Sequence, residues 1–190
     1  KGCMIFIEAF LDALRVEPRS IHAMVVGDGP YMAPMKRMVD DRGAANAVTF
    51  LGEVPHNEVT ALQLIADVYV SLNELGNLSN ANLEAMKAGT CMIFPASQPE
   101  IGVDVDTDNL IPPDAALRIG NCRDQKGLTE ALLILHRNPN LREQLAKRIK
   151  CVASKIVPTW SERISSEITL LEGLVNRGPN KSGIKLKALS

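Results

Sequence analysis

Short apolar runs that alternate with amphipathic helical patterns constrain the fold of this chain more than any other feature. The runs of strand type occupy residues 21–26, 48–52, 67–72, 91–94 and, more weakly, 116–119. Segments with helical spacing of apolar residues occupy 3–14, 30–42, 58–65, 80–88, 128–136, 141–156 and 160–175. Strands separated by helices at short intervals are typical of parallel sheets. We therefore predict an α/β fold, a Rossmann-like doubly wound parallel sheet.

The segment from Ser71 to Met86 follows the third apolar run and combines a polar loop with the start of a helix. The loop is rich in Gly, Asn and Ser, and the helix is expected to begin at Asn80 and to carry Glu84 one turn in. Ligands of open parallel sheets bind at the carboxyl ends of the strands, and helix N-termini favour anions there. The segment therefore predicts a site for a phosphorylated, hydroxyl-rich ligand.

The composition argues against several classes of partner. The 190 residues carry a formal net charge of −1, and aromatic residues make up 4 %. A nucleic-acid-binding surface normally shows a basic excess and base-stacking aromatic side chains. No apolar run in the sequence approaches the length of about 18 residues that a spanning helix needs. We expect neither nucleic-acid binding nor a transmembrane segment.

The four cysteines, Cys3, Cys91, Cys122 and Cys151, form no CxxC pair, and the three histidines are isolated from them. This pattern is typical of a reduced, cytosolic protein with buried thiols. It gives no metal-ligand spacing, and Asp104-Val105-Asp106 lacks any other sign of a metal site. We expect no metal. Residues 96–113 are predicted as a loop, residues 177–190 as a disordered tail, and the stripe of Met32, Met35 and Met38 as core.

Four motifs in series identify a family resemblance. They are Gly27-Asp28-Gly29-Pro30 after a strand, VTFLGEV at 48–54, ADVYVSLNE at 66–74 and NANLEAMKAGTCMI at 80–93. In this order and at these intervals the sequence resembles the carboxyl-terminal, donor-binding domain of retaining GT-B glycosyltransferases of the family 4, or group 1, type. The resemblance covers Lys1 to about Leu174. It includes the opening Lys1-Gly2 pair and the closing segment VPTWSERISSEI at 157–168.

The resemblance implies roles for the phosphate and ribose half of the loop. Lys1 would bind the donor diphosphate and support catalysis, and the Arg that usually partners it would precede residue 1. Backbone N–H groups of the helix start would add dipoles aimed at the same oxygens. Glu84 would accept from the two ribose hydroxyls, which present paired donors. The helix-start residues assigned to donor binding are Asn80, Ala81, Asn82 and Leu83.

The resemblance also implies contacts with the sugar and the base, but the interval between the two Glu positions differs from that of the family. The family's first Glu lies eight positions before the second, where this chain has Gly76, so Glu74 matches only with a loop longer by two residues. Glu74 would then be catalytic and contact the transferred sugar, beside backbone N–H groups of Gly76 and Asn77. Val54 would contact the base through its backbone. Two glycines of the first turn, Gly27 and Gly29, would border the donor.

The resemblance also implies how the intact enzyme works. A nucleotide-diphosphate sugar is the donor, no cofactor or metal is needed, and the sugar leaves with retention at the anomeric carbon. One domain is expected over residues 1–176, and its last helix would return towards an amino-terminal domain that supplies the acceptor site and is missing here. The fragment would be inactive alone. We expect a cytoplasmic location, compatible with peripheral contact at the inner face of the membrane.

Three alternatives remain open on the sequence alone. The first is a non-catalytic module that binds a nucleotide or a partner protein. A second is half of a nicotinamide-dependent dehydrogenase, since Gly27-Asp28-Gly29 follows a strand, although Met32 occupies the third glycine position of the fingerprint. The third is a sugar-nucleotide epimerase of the same architecture, which the Glu84 helix motif fits less well than it fits the transferases.

Overall fold

The structure is a computed structural model that describes residues 2–74, 76 and 78–176. The chain divides into two compact units, residues 1–156 and residues 157–190. The strands are β1 (Ala23–Val26), β2 (Val48–Gly52), β3 (Val68–Val70), β4 (Cys91–Pro95) and β5 (Leu117–Ile119). The helices are α1 (Gly2–Val16), α2 (Met32–Asp41), α3 (His56–Ile65), α4 (Asn80–Ala88), α5 (Val105–Leu110), α6 (Gln125–Arg137), α7 (Pro139–Ile156) and α8 (Trp160–Asn176).

All strand pairs are parallel, as predicted, and the described strands are distributed over two sheets. In the first sheet β1 pairs with β2, and Ala23 lies opposite Val48. In the second sheet the order is β3-β4-β5, with Val68 opposite Cys91 and Ile93 opposite Leu117. Because the strands of each sheet are parallel, their carboxyl ends lie at one edge of that sheet. The predicted α/β class is confirmed.

Helix α1 supplies apolar side chains to both sheets. Ile7, Phe10 and Leu11 pack with residues of β1, β2 and α2. Ala9 packs with buried residues of β4, β5 and α6, and Phe6 contacts both clusters. The apolar face of α1 therefore joins the two sheets within the first unit, which fixes the start of α1 relative to β3.

The prediction that residues 96–113 form only a loop is wrong. This segment contains α5 and a short 3-10 turn. The side chain of Arg118 on β5 anchors it, because Nη2 contacts Asp108 at 2.8 Å and the carbonyl oxygen of Ile111 at 3.0 Å. The same guanidinium lies 4.2 Å from the ring centroid of Phe94. Tertiary contacts of one arginine thus hold a helix that the local sequence does not predict.

The predicted burial of the thiols is only partly correct. Cys91 lies in the core of β4, but Cys3 and Cys122 are half-buried and Cys151 is exposed on α7. The spacing of cysteines carries no information on burial, which depends on how the element that holds each cysteine packs. Met35 is buried between α1 and the first sheet, and Met32 and Met38 pack beside it, so the prediction that this stripe is core is confirmed.

The second unit is described up to Asn176 and consists of α8 and the residues before it. Thr159 and Glu162 form a reciprocal cap at its start, since Oε2 of Glu162 accepts from the Thr159 N–H at 2.7 Å and Oγ1 of Thr159 accepts from the Glu162 N–H at 3.3 Å. The tail at 177–190 lies outside the described residues. A return of α8 towards another domain stays a prediction. Among the described residues, no helix is long and apolar enough to cross a membrane.

Candidate functional site

The start of α1 lies directly against the loop that follows β3. A Cβ atom on Gly2 would lie 2.7 Å from the carbonyl oxygen of Leu72 and 2.8 Å from its Cβ atom. Contacts this short do not occur between real Cβ atoms and their neighbours, so only glycine permits the approach. Lys1 lies outside the described residues, and its role stays a prediction. Its neighbour Gly2 brings the chain to the carboxyl end of β3.

The N-terminus of α4 presents exposed backbone at the same edge. Asn80 and Ala81, the first two residues of the helix, are exposed, and Ser79 is its N-cap. The first N–H groups of an α-helix have no hydrogen-bond acceptor within the helix. The Ser79 hydroxyl oxygen accepts from the N–H of Asn82 at 3.3 Å. The N–H groups of Asn80 and Ala81 are therefore the ones best placed for an anion.

Asn82 faces the interior rather than the solvent. Its side chain donates to Oγ of Ser71 at 3.0 Å, and its Oδ1 accepts from the hydroxyl of Tyr69 at 3.2 Å. Asn82 is 1 % exposed, so protein groups rather than bulk solvent satisfy its side-chain amide. The network joins α4 to Tyr69 in β3 and to Ser71 directly after that strand. Its geometry favours a positioning role for the Asn82 side chain, and Leu83 beside it is half-buried.

Glu84, on α4, lies near His56 of α3 and Tyr69 of β3. Its Oε1 atom is 3.8 Å from Nε2 of His56, the first residue of α3, and its side chain is 32 % exposed. Burial, and then the negative charge of Glu84, raises the pKa of Tyr69 above its usual value. Tyr69 therefore stays protonated and keeps its hydrogen bond to Asn82. A partly exposed carboxylate is thus held beside the exposed start of α3.

A buried glutamine fixes the spacing between α3 and α4. The side-chain amide of Gln63 donates to the carbonyl oxygen of Ala81 at 3.2 Å. The hydroxyl of Thr90 donates to the backbone carbonyl of Gln63 at 2.7 Å. Gln63 is 5 % exposed and its contact with Thr90 is buried, so a low local dielectric strengthens that bond, whereas the contact with Ala81 is part-buried. They hold the two helices in the arrangement that places His56 beside Glu84.

The loop after β3 is flanked by side chains from two other segments. Nη2 of Arg123, in the turn after β5, lies 3.6 Å from Oε1 of Glu74. Gly76 has φ +146°, and a Cβ atom there would lie 3.3 Å from Oδ1 of Asp104. Asn77, the other loop residue predicted to bind the donor, lies outside the described residues. Glu74 and Gly76 therefore lie at the carboxyl edge of the second sheet.

The remaining predicted residues lie at the carboxyl ends of β1 and β2. Gly27 follows β1 with φ +103°, and its N–H donates to the carbonyl oxygen of Gly52 at 2.7 Å. Gly29 accommodates the next turn, where its N–H donates to Oδ1 of Asp28 at 2.6 Å. Val54 is half-buried in the segment between β2 and α3, close in sequence to His56. Their contacts with a ligand stay predictions.

Several groups at this edge have no predicted role, namely Tyr69, Ser71 and Arg123. The helix predicted over 58–65 did not include His56, which is the first residue of α3. A polar residue at the end of an apolar strand, such as Ser71, is the signal that could have indicated a link to the following helix. Among residues 2–74, 76 and 78–176, no cluster of three or more His, Cys, Asp or Glu side chains could hold a metal ion.

The sequence is similar to that of glycosyltransferases. A sequence model of the family described as "Glycosyl transferases group 1" matches residues 1–152. A 2-deoxystreptamine glucosyltransferase of Streptomyces kanamyceticus is 32 % identical over 145 residues, which cover 76 % of this chain and 31 % of that protein. The chain thus spans less than a third of the length of this relative.

The fold is similar to that of solved glycosyltransferase structures. The C-terminal domain of a glycosyl transferase group 1 family protein from Francisella tularensis superposes with a TM-score of 0.68 at 21 % identity, covering 82 % of this chain and 79 % of that one. Anabaena HepE, solved in complex with UDP-glucose, gives a TM-score of 0.68 at 17 % identity, covering 89 % of this chain and 45 % of that one. At these identities the likeness concerns the fold, that of a Rossmann-like domain of GT-B glycosyltransferases.

Proposed function

The chain belongs to the glycosyl transferases group 1 family, and on that premise we propose that it binds the nucleotide-diphosphate sugar from which the intact enzyme transfers a sugar. The observation that carries the proposal is the position of Glu84. It is a partly exposed carboxylate one turn inside α4, beside the exposed N-terminus of that helix and the start of α3. A carboxylate suits a ribose diol, and a helix N-terminus suits a diphosphate.

The diphosphate is bound by the two chain segments that meet after β3. The N–H groups of Asn80 and Ala81 donate to its oxygens, and Lys1, next to Gly2, adds a positive charge. Transfer leaves negative charge on the departing diphosphate, and fixed donors stabilise that charge without reorganising. Because these groups supply the positive potential, we expect donor binding to need no metal ion. The close approach of Gly2 to Leu72 supports this role for Lys1, because Lys1 directly precedes Gly2 in the sequence.

The transferred sugar lies over the loop that contains Glu74 and Gly76, and the base lies towards Val54. Glu74 accepts from sugar hydroxyls and thereby orients the anomeric carbon. The N–H groups of Gly76 and Asn77 contact the same sugar. The glucosyltransferase name of the Streptomyces relative and the UDP-glucose bound to HepE support a nucleotide sugar as the ligand class.

The full reaction requires a second domain. We propose that the acceptor site and the Arg that partners Lys1 belong to residues preceding Lys1 in the intact enzyme, and that the sugar is transferred with retention. The match to 31 % of the Streptomyces relative supports a longer protein. The 190-residue chain alone is then expected to bind the donor without transferring its sugar.

Nucleotide titration of the 190-residue chain tests this function. UDP, GDP, UDP-glucose and GDP-mannose are titrated by calorimetry with and without EDTA, and NADH is titrated by fluorescence. We expect one uridine or guanosine diphosphate to bind with unchanged affinity in EDTA, and NADH not to bind. Binding of NADH alone, or of none of these ligands to a folded chain, would contradict the proposal.

A further inference from the structure

Two loops that are distant in sequence meet at the carboxyl edge of the second sheet. Glu74 follows β3 and Arg123 follows β5, and both strands pair with β4 between them. Nη2 of Arg123 lies 3.6 Å from Oε1 of Glu74. The two side chains therefore reach towards each other across the end of the central strand.

The turn that carries Arg123 is held by several hydrogen bonds. The carboxylate of Asp124 accepts from the N–H of Gly120 at 3.0 Å and from the N–H of Gly127 at 2.8 Å. The side chain of Asn121 accepts from the N–H of Arg123 itself at 2.9 Å. Bonds from side chains to neighbouring backbone groups fix such turns locally. Arg123 thus projects from a backbone whose position is defined by the start of α6.

The loop that carries Glu74 is flanked on its other side by α5. Oδ1 of Asp104 would lie 3.3 Å from a Cβ atom on Gly76, and the Thr107 hydroxyl donates to the same carboxylate. The segment of Asp104 is itself anchored by Arg118, which contacts Asp108. Two described residues of the loop after β3 thus have an anchored segment beside them: Asp104 lies near Gly76, and Arg123 lies near Glu74.

From this arrangement we infer that Arg123 is a positioning residue that orients Glu74 towards the transferred sugar, an inference that rests on the proposed donor-binding function. A carboxylate has lone pairs for about four donors, so one oxygen can contact the guanidinium while the other accepts from a sugar hydroxyl. Arg123 is 79 % exposed and Glu74 is 39 % exposed, so the pair contributes little to folding stability. The pair instead restricts the orientation of Glu74. It therefore affects the binding of the sugar rather than the binding of the nucleotide.

A direct contact of Arg123 with the diphosphate is the competing role, and the two roles predict different binding data. A positioning residue affects the additional affinity that the sugar gives over the nucleotide alone. A phosphate-binding residue affects the nucleotide and the nucleotide sugar equally. The ratio of the two dissociation constants therefore separates the roles.

The experiment measures these ratios on the 190-residue chain. Dissociation constants for UDP with UDP-glucose, and for GDP with GDP-mannose, are measured for the wild type, Arg123→Gln, Glu74→Gln and the double variant. Arg15→Gln is the matched control, because Arg15 is 76 % exposed and lies 3.8 Å from a partly exposed carboxylate of Asp12, a pair similar to Arg123 and Glu74 at 3.6 Å. The exchange rate of the Glu74 backbone amide, measured by NMR without ligand, gives a readout that needs no donor.

The inference predicts that Arg123→Gln lowers the advantage of the nucleotide sugar over the nucleotide by about two- to fivefold. It also predicts no further loss when Glu74→Gln is already present, and faster exchange of the Glu74 amide. Arg15→Gln should leave all three measurements unchanged. The inference would be overturned if Arg123→Gln lowered the affinities for nucleotide and nucleotide sugar equally. It would also be overturned if the effect were undiminished in the Glu74→Gln background, or if the exchange of the Glu74 amide were unchanged. If no nucleotide binds, the proposed function fails, and the amide exchange still decides whether Arg123 holds Glu74.

Discussion

Nε2 of His56 lies 3.8 Å from Oε1 of Glu84, so the first residue of α3 meets the carboxylate that we assign to the ribose. The contact depends on the packing of α3 against α4, which Gln63 fixes through the carbonyl oxygen of Ala81. His56 is 80 % exposed, so solvent weakens its interaction with the carboxylate. His56 therefore borders the proposed ribose position without being buried by it.

Replacing His56 with Gln should weaken nucleotide binding only slightly. An exposed pair of this kind contributes about 0–1 kcal/mol, which corresponds to at most about a fivefold change in affinity. Calorimetric titration of the nucleotide diphosphate that binds, at low and high salt, measures the change. A loss larger than that of Glu84→Gln would show that His56, and not Glu84, makes the main contact.

Replacing Asn82 with Ala should destabilise the chain by about 2–3 kcal/mol. The change removes the partner of Ser71 and Tyr69 inside a buried network. Asn80→Ala, at an exposed position of the same helix, should change stability by less than about 0.5 kcal/mol. Urea unfolding measures both. A fully stable Asn82→Ala variant that loses nucleotide binding would instead favour a direct contact between Asn82 and the ligand.

Replacing Gly2 with Ala should also destabilise the chain. The new Cβ atom would lie 2.7 Å from the carbonyl oxygen of Leu72, so α1 or the loop after β3 must shift, at a cost of about 1–3 kcal/mol. Gly173→Ala is the control, since no heavy atom lies within 4 Å of a Cβ atom there and alanine favours helix. Thermal unfolding compares the two variants. Equal melting temperatures for Gly2→Ala and the wild type would show that α1 does not approach Leu72 so closely.

The thiol of Cys91 should make stability fall at alkaline pH. Burial raises its pKa from 9.0 to about 11, and the charge of Arg142 opposes the rise. Because the folded state holds the proton more tightly than the unfolded state, this contribution is complete below pH 9 and disappears between pH 9 and about 11. Urea unfolding across that range should show a steeper loss for the wild type than for Cys91→Ala. Cys151→Ala, which alters an exposed thiol, should behave as the wild type does.

Local patterns predicted the strands, most helix bounds and the parallel pairing. Apolar periodicity, and glycines at the ends of helices and strands, are properties of short segments. Helix α4 begins at Asn80 and ends at Ala88 before Gly89, as the sequence indicated. Helix α5 was missed because its six residues contain two Asp and show no apolar periodicity. It is held by Arg118, a residue of a later strand.

The contacts at the site were less predictable, because they depend on how distant segments pack. The sequence indicated Glu84 through its helix, and Glu74 only through a loop of irregular length. It did not indicate the contact of Glu74 with Arg123 or that of Glu84 with His56, since each joins residues from different loops and helices. Asn82 was assigned to the ligand because its position at the helix start is local information, whereas its burial against Ser71 is not.

A double-mutant cycle, in which a modified ligand provides the second change, tests whether Glu84 binds the ribose. The affinity of UDP or GDP, whichever binds, is compared with that of its 2′-deoxy analogue for the wild type, Glu84→Ala and the control Glu130→Ala on α6. We predict that Glu84→Ala weakens nucleotide binding by about tenfold or more, as expected for a charged hydrogen bond of about 1.5–3 kcal/mol. We also predict that the 2′-deoxy analogue binds more weakly than the parent nucleotide to the wild type and Glu130→Ala, but equally to Glu84→Ala. Unchanged nucleotide affinity in a folded Glu84→Ala variant would contradict the assignment.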